Sequence, residues 1–299
     1  MQPLVTIVAI SFNQEKYVID TLDSIRKQTY PFIQLIIADD GSKDETKNLI
    51  AKWIKENLPG TIFLNHPVNL GITKNLNSAL PYIKGEFYQF IGCEDIMMPD
   101  KIGKQVALLN TNKEYDIVYS DMLCMDENGI LEKTSFYKTN ELKHPSGFIY
   151  EPLLEKCFIT TPTVLMNSKV LFELGGDNEA LEVNDYDFWI RASKKFNFLY
   201  HDDITMKYRV VANSVSRREG IFPYRNKFTM FYMNYDRRAP YKKIIDRRLL
   251  GSVRALYYLK YKKAALFGIK AFLKSGQIRF LYYSFKAIPN IFNGKKTDV

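Results

Sequence analysis

The sequence predicts an α/β fold in which a mainly parallel sheet is flanked by helices and followed by a helical extension. Short apolar, β-branched runs alternate with helical patterns about every 30 residues over the first hundred positions, and such alternation indicates βαβ units. From about Ile221 onward the pattern reads as helices alone.

Residues 4–10, Leu-Val-Thr-Ile-Val-Ala-Ile, read as a strand buried on both faces. Val18, Leu22 and Ile25 recur at spacings of four and three, a helix that stops before Pro31. Residues 33–38 form a second buried strand that runs into Asp39-Asp40-Gly41-Ser42. Asp44 then opens a helix through Leu49, Ile50 and Trp53 to the Pro59-Gly60 break. The cycle repeats with a strand at 61–64, a helix from Thr73 to Tyr82 and a strand at 86–91. Beyond Asp100 the pattern predicts a helix near 100–110, a strand at 116–121, a hairpin around Asn128-Gly129 and a strand near 163–166. A helix from about Asp185 to Lys195 and a strand at 198–209 follow.

The chain has 299 residues, 46% hydrophobic and 25% charged, the balance of a globular protein with its own core. Its three cysteines, Cys93, Cys124 and Cys157, form no CxxC pair and have no neighbouring histidines, so reduced thiols are expected rather than disulfides or a zinc cage. No signal-peptide pattern and no membrane-spanning run is read, and a cytoplasmic protein is expected. From Arg217 to the last residue there are 20 lysines and arginines against 4 acidic residues, a net of +16. The first 216 residues carry 22 basic and 29 acidic residues, a net of −7. An acidic body is thus joined to a basic tail.

In an open α/β sheet, ligands bind beyond the carboxyl ends of the strands, where strand order reverses. Three such ends stand out: Ser11-Phe12-Asn13, Asp39-Asp40-Gly41-Ser42 and Gly92-Cys93-Glu94-Asp95. Acids gathered at one sheet edge repel one another unless a cation or hydrogen-bond donors are recruited. A divalent ion on a diphosphate resolves this, and oxygen ligands suit Mg²⁺ or Mn²⁺. Each stretch alone has a plainer reading, Asp-Gly turn and helix cap for the first acidic pair and loop charge for the second. Their repetition at strand ends is what singles them out. His201-Asp202-Asp203 is read as solvated turn or strand edge, and Asp187 with Arg191 as a helix-supporting ion pair.

In these segments the chain resembles the inverting family-2 glycosyltransferases of GT-A fold, of the bacterial surface-polysaccharide type. The matching stretches are Val5 to Asn13, Ile36 to Asp44, Asn69-Leu70-Gly71 with Lys74-Asn75, and Gly85-Glu86-Phe87 leading to Glu94-Asp95, Pro99 and Lys101. Leu174-Gly175-Gly176 and Asn184 to Arg191 complete the series, in the family's order over about the first 216 residues. The resemblance implies a GT-A catalytic domain over 1–216, with a nucleotide-binding half at 1–99 and an acceptor half at 100–216, and a basic aromatic helical extension at 217–299. It implies a nucleotide-sugar site built from Ser11, Phe12, Asn13, Asp39, Asp40, Lys74, Asn75, Glu94 and Arg209. Phe12 would stack on the nucleobase, and Asp39 would accept from a uracil or thymine ring N–H. Asp95, closing a DxD-like motif, would bind the Mn²⁺ or Mg²⁺ on the diphosphate, and Asp185 matches the general base. Arg209, Ser214 and Ser216 fall where the family has a Tyr-Arg and a loop over the diphosphate.

Such an enzyme stabilises charge on the departing nucleoside diphosphate and deprotonates an acceptor hydroxyl, here on a glycan or lipid-linked glycan. One base and no second nucleophile gives inversion. The chain departs from the family pattern at Ile10, at Gly92 and Glu94 within the DxD region, at Lys74 in place of an arginine, and at Asn184, which replaces the glutamate before the base. For Asp185, helix capping fits the spacing equally well. A nucleotide-sugar-binding protein without transfer activity, and more distantly a basic nucleic-acid-binding protein, stay open as alternatives.

From Arg217 onward, 17 phenylalanines and tyrosines are interleaved with the basic residues. Such helices can lie on an anionic membrane surface, at the inner face of the cell membrane, or form a bundle on the body with a solvated basic face. No nucleic acid is expected, because no reader motif accompanies the charge.

Overall fold

The computed structural model describes residues 2–183, 185–211 and 218–294. Chain order begins β1 (Val5–Ser11), α1 (Val18–Arg26), β2 (Ile33–Asp39), α2 (Thr46–Asn57), β3 (Ile62–Asn65), α3 (Ile72–Asn77) and β4 (Phe87–Gly92). It continues β5 (Ile96–Met97), α4 (Lys101–Thr111), β6 (Ile117–Met125), α5 (Phe136–Thr139), α6 (Tyr150–Glu155), β7 (Leu165–Asn167), α7 (Ser168–Glu173), α8 (Asp185–Ser193) and β8 (Phe198–Arg209). Then come α9 (Phe222–Met233), α10 (Tyr241–Tyr258), α11 (Ala264–Ser275), α12 (Arg279–Lys286) and α13 (Asn290–Asn293).

All eight strands join one sheet in the order β3-β2-β1-β4-β7-β6-β8-β5. β1 pairs in parallel with both β2 and β4, β2 with β3, and β6 with β8. β7 runs antiparallel between β4 and β6, and β5 antiparallel to β8. The mixed, mainly parallel α/β sheet expected from the strand–helix alternation is therefore present. β2 and β3 lie on one side of β1 and β4 on the other, so strand order reverses at β1 and the ends of β1, β2 and β4 converge there.

Alternating side chains of the central strands feed two cores, as a sheet covered on both faces requires. Val5, Ile7 and Ala9 of β1 pack with Leu22, Ile25, Ile37 and Trp53 on one face. Val8 and Ile36 pack with Tyr119, Phe188 and Trp189 on the other. The described residues form two compact units, one of residues up to 153 with 157–211, the other of 154–156 with those after 211.

Several boundaries differ from the sequence expectation, each for a local reason. The helix expected over 73–82 ends at Asn77 and resumes as a 3-10 turn at Leu80–Tyr82, because Pro81 cannot continue an α-helical hydrogen-bond ladder. The strand expected from Thr163 begins at Leu165, after a 3-10 turn over Thr161–Thr163 that contains Pro162. Helix α2 begins at Thr46, where Asp44 Oδ1 accepts from the Thr46 backbone N–H and hydroxyl. Around Asn128-Gly129 the chain turns as expected, with Asp126 Oδ1 accepting from Asn128 N and Ile130 N, but only the single bridge Met125–Leu131 forms.

Candidate active site

The end of β1 places Ser11 directly opposite Asp39 at the end of β2. Asp39 is fully buried, and its carboxylate organises the turn that follows. Oδ1 accepts from Ser42 N at 2.9 Å, and Oδ2 accepts from the hydroxyls of Ser11 at 2.8 Å and Ser42 at 2.5 Å. Asn13 completes the link: its N–H donates to Ser42 Oγ, and its Oδ1 accepts from Lys43 N. Asn13 does this at φ 53, a left-handed conformation that asparagine tolerates. Phe12 between them is exposed, free to meet a planar ligand.

Asp40 points the other way. Oδ1 accepts from Leu70 N at 2.6 Å and Oδ2 from Gly71 N at 3.0 Å, so this buried acid ties the β2 end to the loop before α3. Burial raises its pKa, with these backbone donors and His66 opposing. Gly41 makes the close approach possible: at φ +73, a Cβ there would lie 2.6 Å from the carbonyl carbon of Val68. On α3, Lys74 is exposed. Asn75 is buried, its amide donating to Ala38 O at 3.0 Å while its Oδ1 has no partner among the described residues.

After β4 the chain turns through Cys93, Glu94 and Asp95. Asp95 accepts from Arg209 N at 2.9 Å through Oδ1, and its carbonyl accepts from the Thr21 hydroxyl at 2.7 Å. Glu94 accepts from Gln14 Nε2 at 3.0 Å. Its carboxylate folds back over Gly92, so that a Cβ at residue 92 would meet Glu94 Oε2 at 3.0 Å. Glu94 thereby puts its charge beside the position where the family motif often carries its first acid.

Both carboxyls are desolvated. Burial raises Glu94, and burial followed by the Glu94 charge raises Asp95 well above the usual carboxylate range. The buried thiol of Cys93, just before them in the chain, is raised by burial and then by Glu94, Asp39 and Asp95. The structure thus brings Asp39, Glu94 and Asp95 within electrostatic reach of one thiol at the reversal point of the sheet.

Arg209, expected to contact the ligand, is buried, and its guanidinium is engaged by protein. Nε donates to Glu94 O at 3.0 Å and Nη1 to Glu127 O at 3.2 Å. Nη2 lies 3.8 Å from Asp20, and the group sits 4.5 Å over the Tyr17 ring. Ser214, Ser216 and Asn184 lie outside the described residues.

Asp185 opens α8 and heads a second acidic group. Its Oδ1 accepts from Tyr186 N at 2.9 Å and its Oδ2 from the Thr161 hydroxyl at 3.2 Å. Part of the residue is open to solvent, yet the protein around the carboxylate desolvates it and raises its pKa, with the hydrogen bonds opposing. Asp177 nearby is pushed up to about 7 by burial and by the charges of Asp185 and Asp187, against the pull of Arg191. The expected pair of Asp187 and Arg191 forms at 2.7 Å, and it does more than support the helix. Arg191 also donates to Leu174 O and Gly176 O, fixing the glycine turn that carries Asp177.

One buried network escaped the sequence reading. Lys101 on α4 is fully buried with no carboxylate partner among the described residues, and desolvation drives its pKa well down. Its amine donates to Gln89 Oε1 and to Gln105 Oε1. Gln89 donates in turn to Pro162 O at 3.0 Å, and Gln105 to Thr163 O at 2.8 Å, gripping the turn that presents Thr161. The signal was the i,i+4 spacing of Lys101 and Gln105 on the face that Ile102, Val106 and Leu109 mark as buried.

Among the described residues no group of three or more side chains forms a metal cage. The acids still fit a divalent ion of the kind that keeps substrate oxygens in its shell. Mg²⁺ typically takes one or two carboxylates plus phosphate and water oxygens, and the hydrogen bond formed by the Asp95 carboxylate is at Oδ1 alone.

Comparisons with known proteins bear on this site. Residues 6–174 match the family described as Glycosyl transferase family 2. An uncharacterized glycosyltransferase of Methanocaldococcus jannaschii is 30% identical over 70% of this chain and 71% of its own length. An Escherichia coli UDP-Glc:alpha-D-GlcNAc-diphosphoundecaprenol beta-1,3-glucosyltransferase is 26% identical over 71% of this chain and 79% of its own. In fold, the chain is similar to S. aureus TarS 1-349 in complex with UDP-GlcNAc, at TM-score 0.66 and 17% identity over 96% of this chain and 89% of that one. It is also similar to the Pyrobaculum calidifontis mannosyltransferase in complex with GDP-Man and Mn²⁺, at TM-score 0.64 and 17% identity over 99% and 89%. With well over half its length matched, and with the mixed sheet of the GT-A fold beneath the match, the chain belongs to glycosyl transferase family 2.

Proposed function

We propose that this chain is an inverting, metal-dependent glycosyltransferase. It moves a hexosyl or N-acetylhexosaminyl group from a UDP- or dTDP-linked donor to a hydroxyl of a glycan or lipid-linked glycan. The observation that carries the reading is the desolvated pair of half-buried Glu94 and buried Asp95 at the reversal point of the sheet, with Asp39 acting on the same Cys93 thiol. Two adjacent desolvated carboxylates are costly alone and become favourable beside a divalent cation. The Mn²⁺ and nucleotide-sugars of the two solved relatives, and the diphosphoundecaprenol acceptor named for the E. coli enzyme, support this choice of ligands.

In this reading the 1–216 segment holds both substrates. Phe12 stacks on the base, while Ser11, Asn13, Asp39 and Asp40 shape its pocket and Asn75 supports the α3 side. Lys74 meets the diphosphate from solvent, and Arg209 acts through its backbone N–H and by locking the Glu94 carbonyl. Asp95, with Glu94, would hold Mn²⁺ or Mg²⁺, which when bound neutralises charge on the diphosphate. Asp185 takes the proton of the acceptor hydroxyl. Its pKa, raised by desolvation, makes it a stronger base than an ordinary aspartate.

A donor screen by thermal shift with and without Mn²⁺, followed by transfer assays, tests the proposal. Asp185→Asn is expected to lower kcat about 10²- to 10⁴-fold with donor affinity retained. A protein that binds nucleotide-sugars with Mn²⁺ and turns none over would overturn transfer in favour of binding alone.

A further inference from the structure

The second unit wears apolar side chains on its outside. Ala264, Ala265, Gly268 and Ala271 form the buried side of α11. A Cβ at Gly268 would fall 2.1 Å from Ser284 Oγ and 2.9 Å from the Phe280 carbonyl, so α12 approaches α11 almost backbone to backbone. At about 100° per residue, Leu266, Ile269 and Leu273 project from the opposite side of α11, and all three are exposed, Leu273 at 73%. Lys263 and Lys270 flank that stripe and are exposed too.

α12 repeats the arrangement. Phe280 and Ser284 face inward, while Tyr282 and Phe285 face outward beside exposed Arg279 and Lys286, whose Nζ lies 4.5 Å over the Tyr282 ring. Ile278 in the intervening turn is 72% exposed and Phe292 on α13 is 76% exposed. Isolated exposed apolar residues are ordinary; a succession of them along two helices and the turn between marks a binding surface.

Charge selects the occupant. Residues 260–294 contain seven lysines and arginines and no acidic residue. A second copy of this segment would bring like charge against like. A nucleic acid would meet the cations but leave the leucine, isoleucine and phenylalanine side chains in water. An anionic lipid surface satisfies both features, with apolar groups at acyl depth and ammonium and guanidinium groups among the phosphates. No helix among the described residues is long and apolar enough to cross a bilayer.

We propose that the α11–α13 segment docks on the surface of an anionic lipid bilayer. The inference rests on the second unit alone and stands whether or not the first unit transfers sugar.

The test is co-sedimentation of the full chain with vesicles of phosphatidylcholine alone and of phosphatidylcholine mixed with phosphatidylglycerol, at physiological salt. Binding is expected to be at least ~10-fold tighter to the anionic vesicles and to weaken as salt rises. Leu273→Ser with Phe285→Ser is expected to lose binding about 10-fold or more without lowering the melting temperature, because both side chains are already in water. Lys263→Glu with Lys270→Glu is expected to remove the preference for anionic lipid. Equal partition onto both vesicles, unchanged binding by these variants, or a dimer abolished by the same substitutions without vesicle binding would each overturn the proposal.

Discussion

The Thr161 hydroxyl donates to Asp185 Oδ2 at 3.2 Å, and the same oxygen accepts from Trp189 Nε1 at 3.3 Å. Because the indole N–H can only donate, it orients the threonine so that the hydroxyl proton points at the carboxylate. Trp189 and Asp185 belong to one helix, so α8 reaches out to the 161–163 turn and receives its own acid back in a fixed rotamer. This makes Thr161 a positioning residue for the proposed base.

Thr161→Val removes that donor while keeping the shape. A hydrogen bond to the ionised form lowers a carboxyl pKa, so its loss raises Asp185 further. The acidic limb of the kcat profile is then expected to move to higher pH, with donor KM unchanged. Steady-state rates across pH check this, and a profile superimposable on wild type would remove Thr161 from the site.

Asp95→Ala is expected to abolish the Mn²⁺-dependent part of donor affinity. Calorimetry of the nucleoside diphosphate with and without the metal reads it directly. An undiminished response to Mn²⁺ would shift the ligand role to other oxygens.

Gly41→Ala forces a side chain into the Val68 carbonyl at a positive φ. The expected cost is about 2 kcal/mol or more, measured as a lower urea midpoint. A neutral result would mean that the 68–71 loop yields without disturbing Asp40.

Asp177→Asn tests the second acidic group through pH. The folded pKa of Asp177 is about 7 against an ordinary 3.8, so the native state binds its proton more tightly than the unfolded chain does. This contribution to stability is fully present below the unfolded value and is lost as pH rises through 7. The variant mimics the protonated form, so the melting temperature of wild type is expected to fall relative to it between about pH 4 and 7. Parallel melting curves over that window would contradict the raised value.

The strand ends were legible because continuous apolar runs and acidic strand ends are local properties: Ser11, Asp39 and Asp95 could be placed from the sequence without knowing what they touch. What could not be read was the direction of each side chain. Asp39 and Asp40 are chain neighbours, yet one closes its own turn and the other pins a loop 30 residues away. Arg209 was legible as a strand-end cation, but its burial against Tyr17 and three backbone carbonyls depends on β8 lying against β6, a pairing that no periodicity encodes. Strand β5 has two residues, too few for any pattern, and the glutamines that hold the 161–163 turn are ordinary polar residues until the fold buries them.

Lys101 has a consequence for how the two halves of the proposed reaction could evolve. The helix that carries it begins directly behind the Asp95–Pro99 segment, and its amine holds the two amides that clasp the platform of Thr161. The donor end and the proton-accepting end are therefore bolted to one hidden post. Drift in either would be felt by the other, and a swap of sugar preference that tilted α4 would misalign the base as well.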